Sequence, residues 1–355
     1  MDPAVEEKPL VEADPARALP SRILIRSSNW LGDAVMTVPA VRAMKRSNPS
    51  AHIALLTQGK LADFWKAVPE VDEIIEIGTG DTVFGVAKKI RTGFDMALLL
   101  PNSVRSALEV FLAKIPRRVG YRGKSRSWLL NEIAPAKADG STTRPRHQFH
   151  HYLDLAEFAG ATVDAGARHS ENAFSTPGET ANEKRAANVG VDQKVKIGLC
   201  PGAEYGPAKR WLPARYAEVI NTVSKRRDCE WLLFGTKKDQ PVGAEIISSL
   251  EGDYTDLIGK TTLAELIQTL SECRLLLTND TGTMHLAAFL GVPTVSIFGS
   301  TEPMLTGPLG TGHRIIRHHV ECSPCFLRDC PIDFRCMRSV EVDEVVEAVL
   351  RMLEE

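Results

Sequence analysis

Residues 274–299 read RLLLTNDTGTMHLAAFLGVPTVSIFG. An apolar run at 274–279 ends in Thr278 and Asn279, a helical pattern covers 281–290, and a second apolar run, TVSIFG, occupies 294–299. Unbroken short apolar runs with a helix between them predict strands of a parallel sheet covered on both faces. The same grammar stands upstream. VKIGLC (195–200) leads through a loop to a helix after Pro213, and WLLFG (231–235) leads to a helix over 240–250. A weaker strand at 256–258 precedes a helical pattern over 263–273, and the last helix is expected over 342–353.

The N-terminal half repeats this pattern. RILIRS (22–27) precedes a helical pattern over 33–46, and HIALLT (52–57) precedes a short helix over 61–67. DEIIEI (72–77) is followed by a helix over 83–91, and DMALLLP (95–101) by one over 103–114. A basic stretch at 117–146 interrupts the rhythm before an amphipathic helix over 147–159. Residues 161–188 are small, polar and weakly patterned, which places the domain boundary there. The expected organisation is an acidic tail at 1–20, an N-terminal domain at 21–180, a C-terminal domain at 181–340 and a closing helix at 341–355. The fold class is α/β, with two Rossmann-like domains facing a cleft, an arrangement suited to a two-part substrate.

Bulk properties agree. A chain of 355 residues suits two domains better than one. A net charge of -2 argues against nucleic acid as a bulk partner. No run approaches the roughly 18 apolar residues of a spanning helix. The first twenty residues lack the basic start and apolar middle of a signal peptide, so a cytoplasmic location is expected.

Three segments carry the chemistry, each directly after a predicted strand and so at the carboxyl edge of its sheet. Asn29-Trp30-Leu31-Gly32-Asp33 offers a carboxylate that reads either as a helix N-cap or as a general base. In it Gly32 permits close approach, and Trp30 is either core or a ring that stacks on a sugar. Pro201 to Trp211, PGAEYGPAKRW, is a shaped loop ending in Lys209 and Arg210, a solvated pair or a phosphate contact. Its spacing is not that of a Walker loop. Asn279 to His285 opens a helix whose free N–H groups suit an anion. Thr281 adds a hydroxyl and Gly282 removes a blocking side chain, while Asp280 reads also as an N-cap and His285 as a packed helix residue. Asp239, after WLLFGTKK, is placed to hold ribose hydroxyls. The chain has no Asp-x-Asp pair to anchor a metal, so charge on a leaving diphosphate falls to Lys209 and the helix start.

With these segments in view, the chain resembles the ADP-heptose:lipopolysaccharide heptosyltransferases, and within them the heptosyltransferase II type. The resemblance covers about residues 21–350 and rests on RSSNWLGDAVMTVPAVRA, PGAEYGPAKRW, NDTGTMHLAAFLGVPTVSIFGSTEP and CSPCFLRDC. It implies a glycosyltransferase B architecture with the donor held mainly by the second domain. It implies inverting, metal-independent transfer of L-glycero-D-manno-heptose from ADP-heptose to the first heptose of the lipopolysaccharide inner core on Kdo-lipid A. Matched by motif, Asp33 resembles the family's general base and Lys209 its diphosphate contact. Thr281 and Gly282 resemble its phosphate turn, flanked by Asp280 and His285. Asp239 matches an acidic ribose contact less closely, and Glu204 and Tyr205 lie where donor-loop contacts are expected. Trp30 and Gly32 fall on the acceptor side. No cofactor is required for the implied catalysis.

Two features lie outside that core. Arg117, Arg118, Arg122, Lys124 and Arg126 interleave with Tyr121 and Trp128, as a solvated loop or as a surface for an anionic acceptor at the inner leaflet, with Arg122 and Lys124 as acceptor contacts. Cys322, Cys325, Cys330 and Cys336 give C-x2-C-x4-C-x5-C, which reads as reduced thiols or as a structural zinc site. The competing readings are a heptosyltransferase of type I or III, a non-catalytic nucleotide-sugar binding protein, or a dinucleotide oxidoreductase. The last lacks a Gly-x-Gly-x-x-Gly after any predicted strand.

Overall fold

The computed structural model describes residues 18–123, 125–135, 146–174 and 194–354. In the first half, strands run over Arg22–Arg26 (β1), His52–Gln58 (β2), Glu73–Ile77 (β3), Met96–Leu99 (β4), Arg117–Tyr121 (β5) and Glu132–Ala134 (β6). Helices run over Leu31–Ser47 (α1), Ala62–Lys66 (α2), Val83–Lys89 (α3), Val104–Leu112 (α4) and Phe149–Phe158 (α5). The strands form one sheet in the order β3-β2-β1-β4-β5-β6, and its neighbouring strands pair in parallel. The central strands β1, β2 and β4 are buried nearly throughout, as their unbroken apolar runs require.

The basic stretch is the main departure from the sequence expectation. It continues the rhythm by adding β5 and β6 to the sheet edge. Charge conceals the pattern there because the two arginines that open β5 find acceptors locally. Arg117 forks across the strand pair onto Glu132 at 2.8 and 3.1 Å, while Arg118 donates to the carbonyls of Leu129 and Ile115 at 2.8 and 2.7 Å. Long cationic side chains can thus cover an edge with their stems while their heads find acceptors.

The second half repeats the plan. Its strands are Val195–Cys200 (β7), Cys229–Leu233 (β8), Tyr254–Asp256 (β9), Leu275–Asn279 (β10), Thr294–Ile297 (β11) and His313–Ile316 (β12). Its helices are Pro213–Arg226 (α6), Gln240–Ile247 (α7), Leu263–Ser271 (α8), Gly282–Phe289 (α9), Pro303–Thr306 (α10), Arg335–Arg338 (α11) and Val342–Glu354 (α12). The sheet order is β12-β11-β10-β7-β8-β9. Counted from its own first strand, each sheet has the order 3-2-1-4-5-6 of a doubly wound nucleotide fold. β12 escapes the sequence reading because it is short, polar at its start and partly exposed at the sheet edge. The core gathers Trp211, Tyr216 and Trp231 with the inner face of α12, where Val345, Val346, Val349 and Met352 are buried.

Two short pieces of the N-terminal sequence group by contacts with the second unit. They are Trp30–Met36, the first turn of α1 with the residue before it, and Arg146–Gln148. Among the described residues no helix is long and apolar enough to cross a membrane.

Candidate active site

The order of the second sheet reverses between β7 and β10, and ligands of such folds bind at the carboxyl ends of strands at that switch point. Asn279, the last residue of β10, joins the two strand ends. Its Nδ2 donates to Pro201 O at 2.7 Å, and its Oδ1 accepts from Trp211 N at 3.0 Å and Tyr216 Oη at 2.8 Å. The loop 201–211 is therefore clamped at both ends by one buried amide. At its tip a 3-10 turn over Pro207–Lys209 turns the lysine inward, where Nζ lies 2.6 Å from Asp280 Oδ2. The same oxygen accepts from Thr301 Oγ1 at 2.7 Å. Lys209 is 14% exposed and Asp280 5%, so a fixed cation stands at the switch point with its Asp280 partner buried behind it.

Beside this pair α9 begins. Thr281 is its N-cap, accepting from Met284 N at 3.3 Å. The N–H groups of Gly282 and Thr283 have no carbonyl within the helix, and the positive end of the helix dipole sits there. Two glycines then bring α1 against this turn. A Cβ on Gly32 would stand 2.8 Å from His285 Cδ2 and 3.5 Å from Gly282 Cα. A Cβ on Gly282 would stand 3.1 Å from Leu31 Cβ and 3.2 Å from Gly32 N. Backbone meets backbone because neither residue has a side chain. Asp33, next after Gly32, is thereby set beside the start of α9.

Burial governs the titration here. It pushes the Asp33 carboxyl up from its ordinary value, and the Gln148 amide and the Lys209 ammonium pull it partly back. Burial lowers His285 to about 4, so the imidazole is neutral at physiological pH. A desolvated carboxylate of raised basicity, a cation and open helix amides in one place can accept a proton and hold an anion.

Residues 83–334 match the profile of Glycosyltransferase family 9 (heptosyltransferase). The chain belongs to that family. It is 34% identical over 312 residues to lipooligosaccharide heptosyltransferase 2 of Haemophilus influenzae, covering 83% of this chain and 88% of the relative. It is 32% identical over 312 residues to lipopolysaccharide heptosyltransferase 2 of Salmonella typhimurium, with the same coverage. The solved structure of E. coli ADP-heptose lps heptosyltransferase II superposes with a TM-score of 0.75 at 27% identity, covering 94% of this chain and 98% of that one.

The other sequence candidates of this heptosyltransferase-family chain divide. Tyr205, on the loop after β7, is 38% exposed and donates to Phe326 O at 2.9 Å. Its ring lies 5.0 Å from Lys209 Nζ and 5.1 Å from Arg328 Cζ. Glu204, beside it, is exposed. Asp239 braces the loop: it is 5% exposed, Oδ2 accepts from Thr236 N and Oγ1 at 2.9 and 2.7 Å, and Oδ1 lies 3.3 Å from Arg210 Nη2. Gly202 packs directly on its carboxylate. Trp30 is 44% exposed, ahead of Gly32. Arg122 is exposed after β5 in the first unit, and Lys124 lies outside the described residues. Sequence reasoning passed over Asn279, Thr301, Arg328 and Gln148. The first three stand inside quoted motifs, but their role depends on contacts across the chain.

The expected zinc site at Cys322, Cys325, Cys330 and Cys336 does not fit. Among the described residues no three His, Cys, Asp or Glu side chains gather as metal ligands. The four thiols lie in different surroundings. Cys336 is buried beneath Gly299, Cys330 Sγ accepts from Phe334 N at 3.3 Å, and Cys322 is exposed. Burial pushes the Cys336 thiol up, a backbone N–H pulls it partly back, and the neighbouring thiols raise it further. The segment instead backs the site, with Arg328 O accepting from Ala208 N at 2.9 Å and Phe326 N donating to Ser300 O at 2.8 Å.

Proposed function

We propose that this chain transfers L-glycero-D-manno-heptose from ADP-heptose to the first heptose of the lipopolysaccharide inner core, with inversion at the anomeric carbon. The observation that carries the reading is the Gly32–Gly282 contact, which sets Asp33 beside Lys209 and the start of α9. The names of the relatives point to the same donor and acceptor.

In the proposed step the acceptor hydroxyl oxygen attacks the anomeric carbon and gives its proton to Asp33. A new C–O bond forms as the bond from the anomeric carbon to the β-phosphate oxygen breaks. ADP leaves with that electron pair, and Lys209 with the amides of Gly282 and Thr283 receives the charge. Tyr205, Glu204 and Asp280 shape the donor side. Asp239 acts through the loop it braces, and a ribose contact rests on the family match alone. Trp30 offers a ring for sugar stacking.

The acceptor is anionic and carried on lipid, and the 101–131 segment suits it. This segment has seven Lys or Arg residues against Glu109 as its sole acid. Trp128 is 64% exposed and packs edge-on against Phe111 at 5.7 Å, with Arg118 5.5 Å over the Phe111 ring. Aromatic rings among cations match the inner face of an anionic membrane, and Arg122 and Lys124 are the residues assigned to the acceptor. Sedimentation with anionic and with zwitterionic vesicles tests this contact, and equal binding to both refutes it.

The transfer itself is tested by incubating the protein with ADP-heptose and defined truncated cores. A mass gain of one heptose only on cores already bearing the first heptose, with an inverted linkage by NMR, is expected. Gain on cores lacking that heptose would assign a type I activity, and ADP-heptose binding without turnover would assign a binding protein.

A further inference from the structure

Asp33 is held by a side chain that belongs to none of the three motifs. Gln148 Nε2 donates to Asp33 Oδ1 at 3.1 Å. An ionised carboxylate only accepts, so the amide must present its NH2 edge. The donor is itself anchored on both sides. Gln148 N donates to Leu305 O at 2.9 Å, and His147 Nε2 lies 3.0 Å from Gly307 O. Arg146–Gln148 and Trp30–Met36 are the two N-terminal pieces that group with the second unit, so carboxylate and amide share one frame.

Among the described residues, these titratable groups lie around Asp33 and its amide. Lys209 comes from the loop after β7 and favours the anion. His285, on α9, packs on Gly32 and is neutral through burial. His147, beside Gln148, is lowered by burial as well. Asp280 is engaged by Lys209 and Thr301. A second cation at position 148 would pin Asp33 as a weak base, and a carboxyl would compete for its proton. A neutral amide orients it without doing either.

We infer that Gln148 is the positioning residue of the base, its amide fixing Asp33 Oδ1 so that Oδ2 takes the acceptor's proton. This rests on the proposed role of Asp33.

The test uses the full chain with Gln148→Met, which keeps length but donates nothing, and Gln148→Glu, which keeps length and polarity. The readouts are the pH profile of kcat/KM, the KM for ADP-heptose, ADP affinity by calorimetry, and the 13C titration of Asp33 in the ligand-free protein. Loss of one hydrogen bond to the ionised form should raise the acidic limb and the Asp33 titration together by about one pH unit in Gln148→Met. The plateau kcat should fall about tenfold as the carboxylate loses its orientation, with donor KM and ADP affinity unchanged. Gln148→Glu should raise the limb further. An unshifted titration in both variants overturns the inference, as does a rate loss that only tracks lost ADP binding and thermal stability. If the unaltered protein transfers no heptose but the titration still moves in Gln148→Met, the transferase reading fails while the coupling of the two residues stands.

Discussion

Gly32→Ala tests the geometry on which the site depends. The added Cβ would lie 2.8 Å from His285 Cδ2, inside a region where His285 is 4% exposed. Carbon atoms pack at about 3.5 Å or more, so the first turn of α1 and the ring must part by roughly 0.7 Å. His285 has little room to yield, being buried in α9 and close to Gly32 backbone. Overpacking of this kind costs about 1–3 kcal/mol, a loss visible as a lower Tm. Asp33 is the next residue on the same turn and must move with it. A misplacement approaching 1 Å at a reacting group costs on the order of 100-fold, so a kcat loss of about 10- to 100-fold is expected. Lys209 and the loop after β7 lie on other elements, and ADP affinity should change less than about threefold, a difference of under about 0.7 kcal/mol. Steady-state kinetics with ADP-heptose and a monoheptosyl core, with calorimetry for ADP, measure both. A Gly32→Ala enzyme with unaltered kcat and Tm refutes the close packing of the two helix starts. One that loses ADP binding in step with kcat refutes the separation of base and donor site.

Asp33→Asn should lower kcat by about 100-fold or more while sparing ADP affinity, as expected for a general base. The same change should raise Tm near neutral pH. The Asp33 pKa is raised in the fold, so the native state holds its proton more tightly, and stability falls as pH rises through that range; equal Tm values at neutral pH would contradict this. Lys209→Ala should weaken ADP binding as well as rate, because it removes the cation and leaves Asp280 buried with its Thr301 contact alone named on that oxygen; intact ADP affinity by calorimetry would exclude Lys209 from the donor site. Rates measured in EDTA should equal those in magnesium, since Lys209 and the α9 amides meet the diphosphate charge; a dependence on added metal would count against that assignment. His285 is lowered to about 4 from 6.5, so stability should fall as pH drops through that window, by on the order of 3 kcal/mol. Acid melts of His285→Asn should be flatter there, and a curve parallel to the unaltered protein would refute the assignment.

Much of this was legible in the sequence because the chemistry sits directly after strands. RLLLTN, VKIGLC and RILIRS each end in a functional loop, and the observed strands β10, β7 and β1 end within one residue of those runs. The parallel order of each sheet followed from runs apolar on both faces. What stayed hidden depends on pairing rather than pattern. β5 carries two arginines whose acceptors include Glu132 of β6 and the carbonyls of Ala159, Leu129 and Ile115, and no periodicity reveals such pairing. Gly32 and Gly282 each read as permissive glycines, and only their contact shows why both are small. Gln148 looked like the start of an amphipathic helix. Its role appears only with Asp33 beside it, 115 residues earlier in the chain. The cysteines left two readings open, because their spacing is local and does not by itself gather a ligand set; among the described residues none is gathered.

One physical cause links the acid–base side of the site to its anion side. Removal of water raises the Asp33 carboxyl and lowers the His285 imidazole, so the same burial makes one a better proton acceptor and keeps the other uncharged. Had His285 stayed protonated, its charge would have drawn on Asp280, the carboxylate that acts on it, and competed with Lys209 for that partner. It would also have added a second positive charge beside α9, holding the product ADP as firmly as the transition state. With His285 neutral, the cation named opposite Asp33 is Lys209, and Asp280 and Thr301 keep that charge in place at the strand end. On the proposed mechanism, fixed charge is thus concentrated where negative charge would develop during transfer. The proposed base is steadied instead by a neutral amide, which pulls its proton affinity only partly back from the level that burial sets.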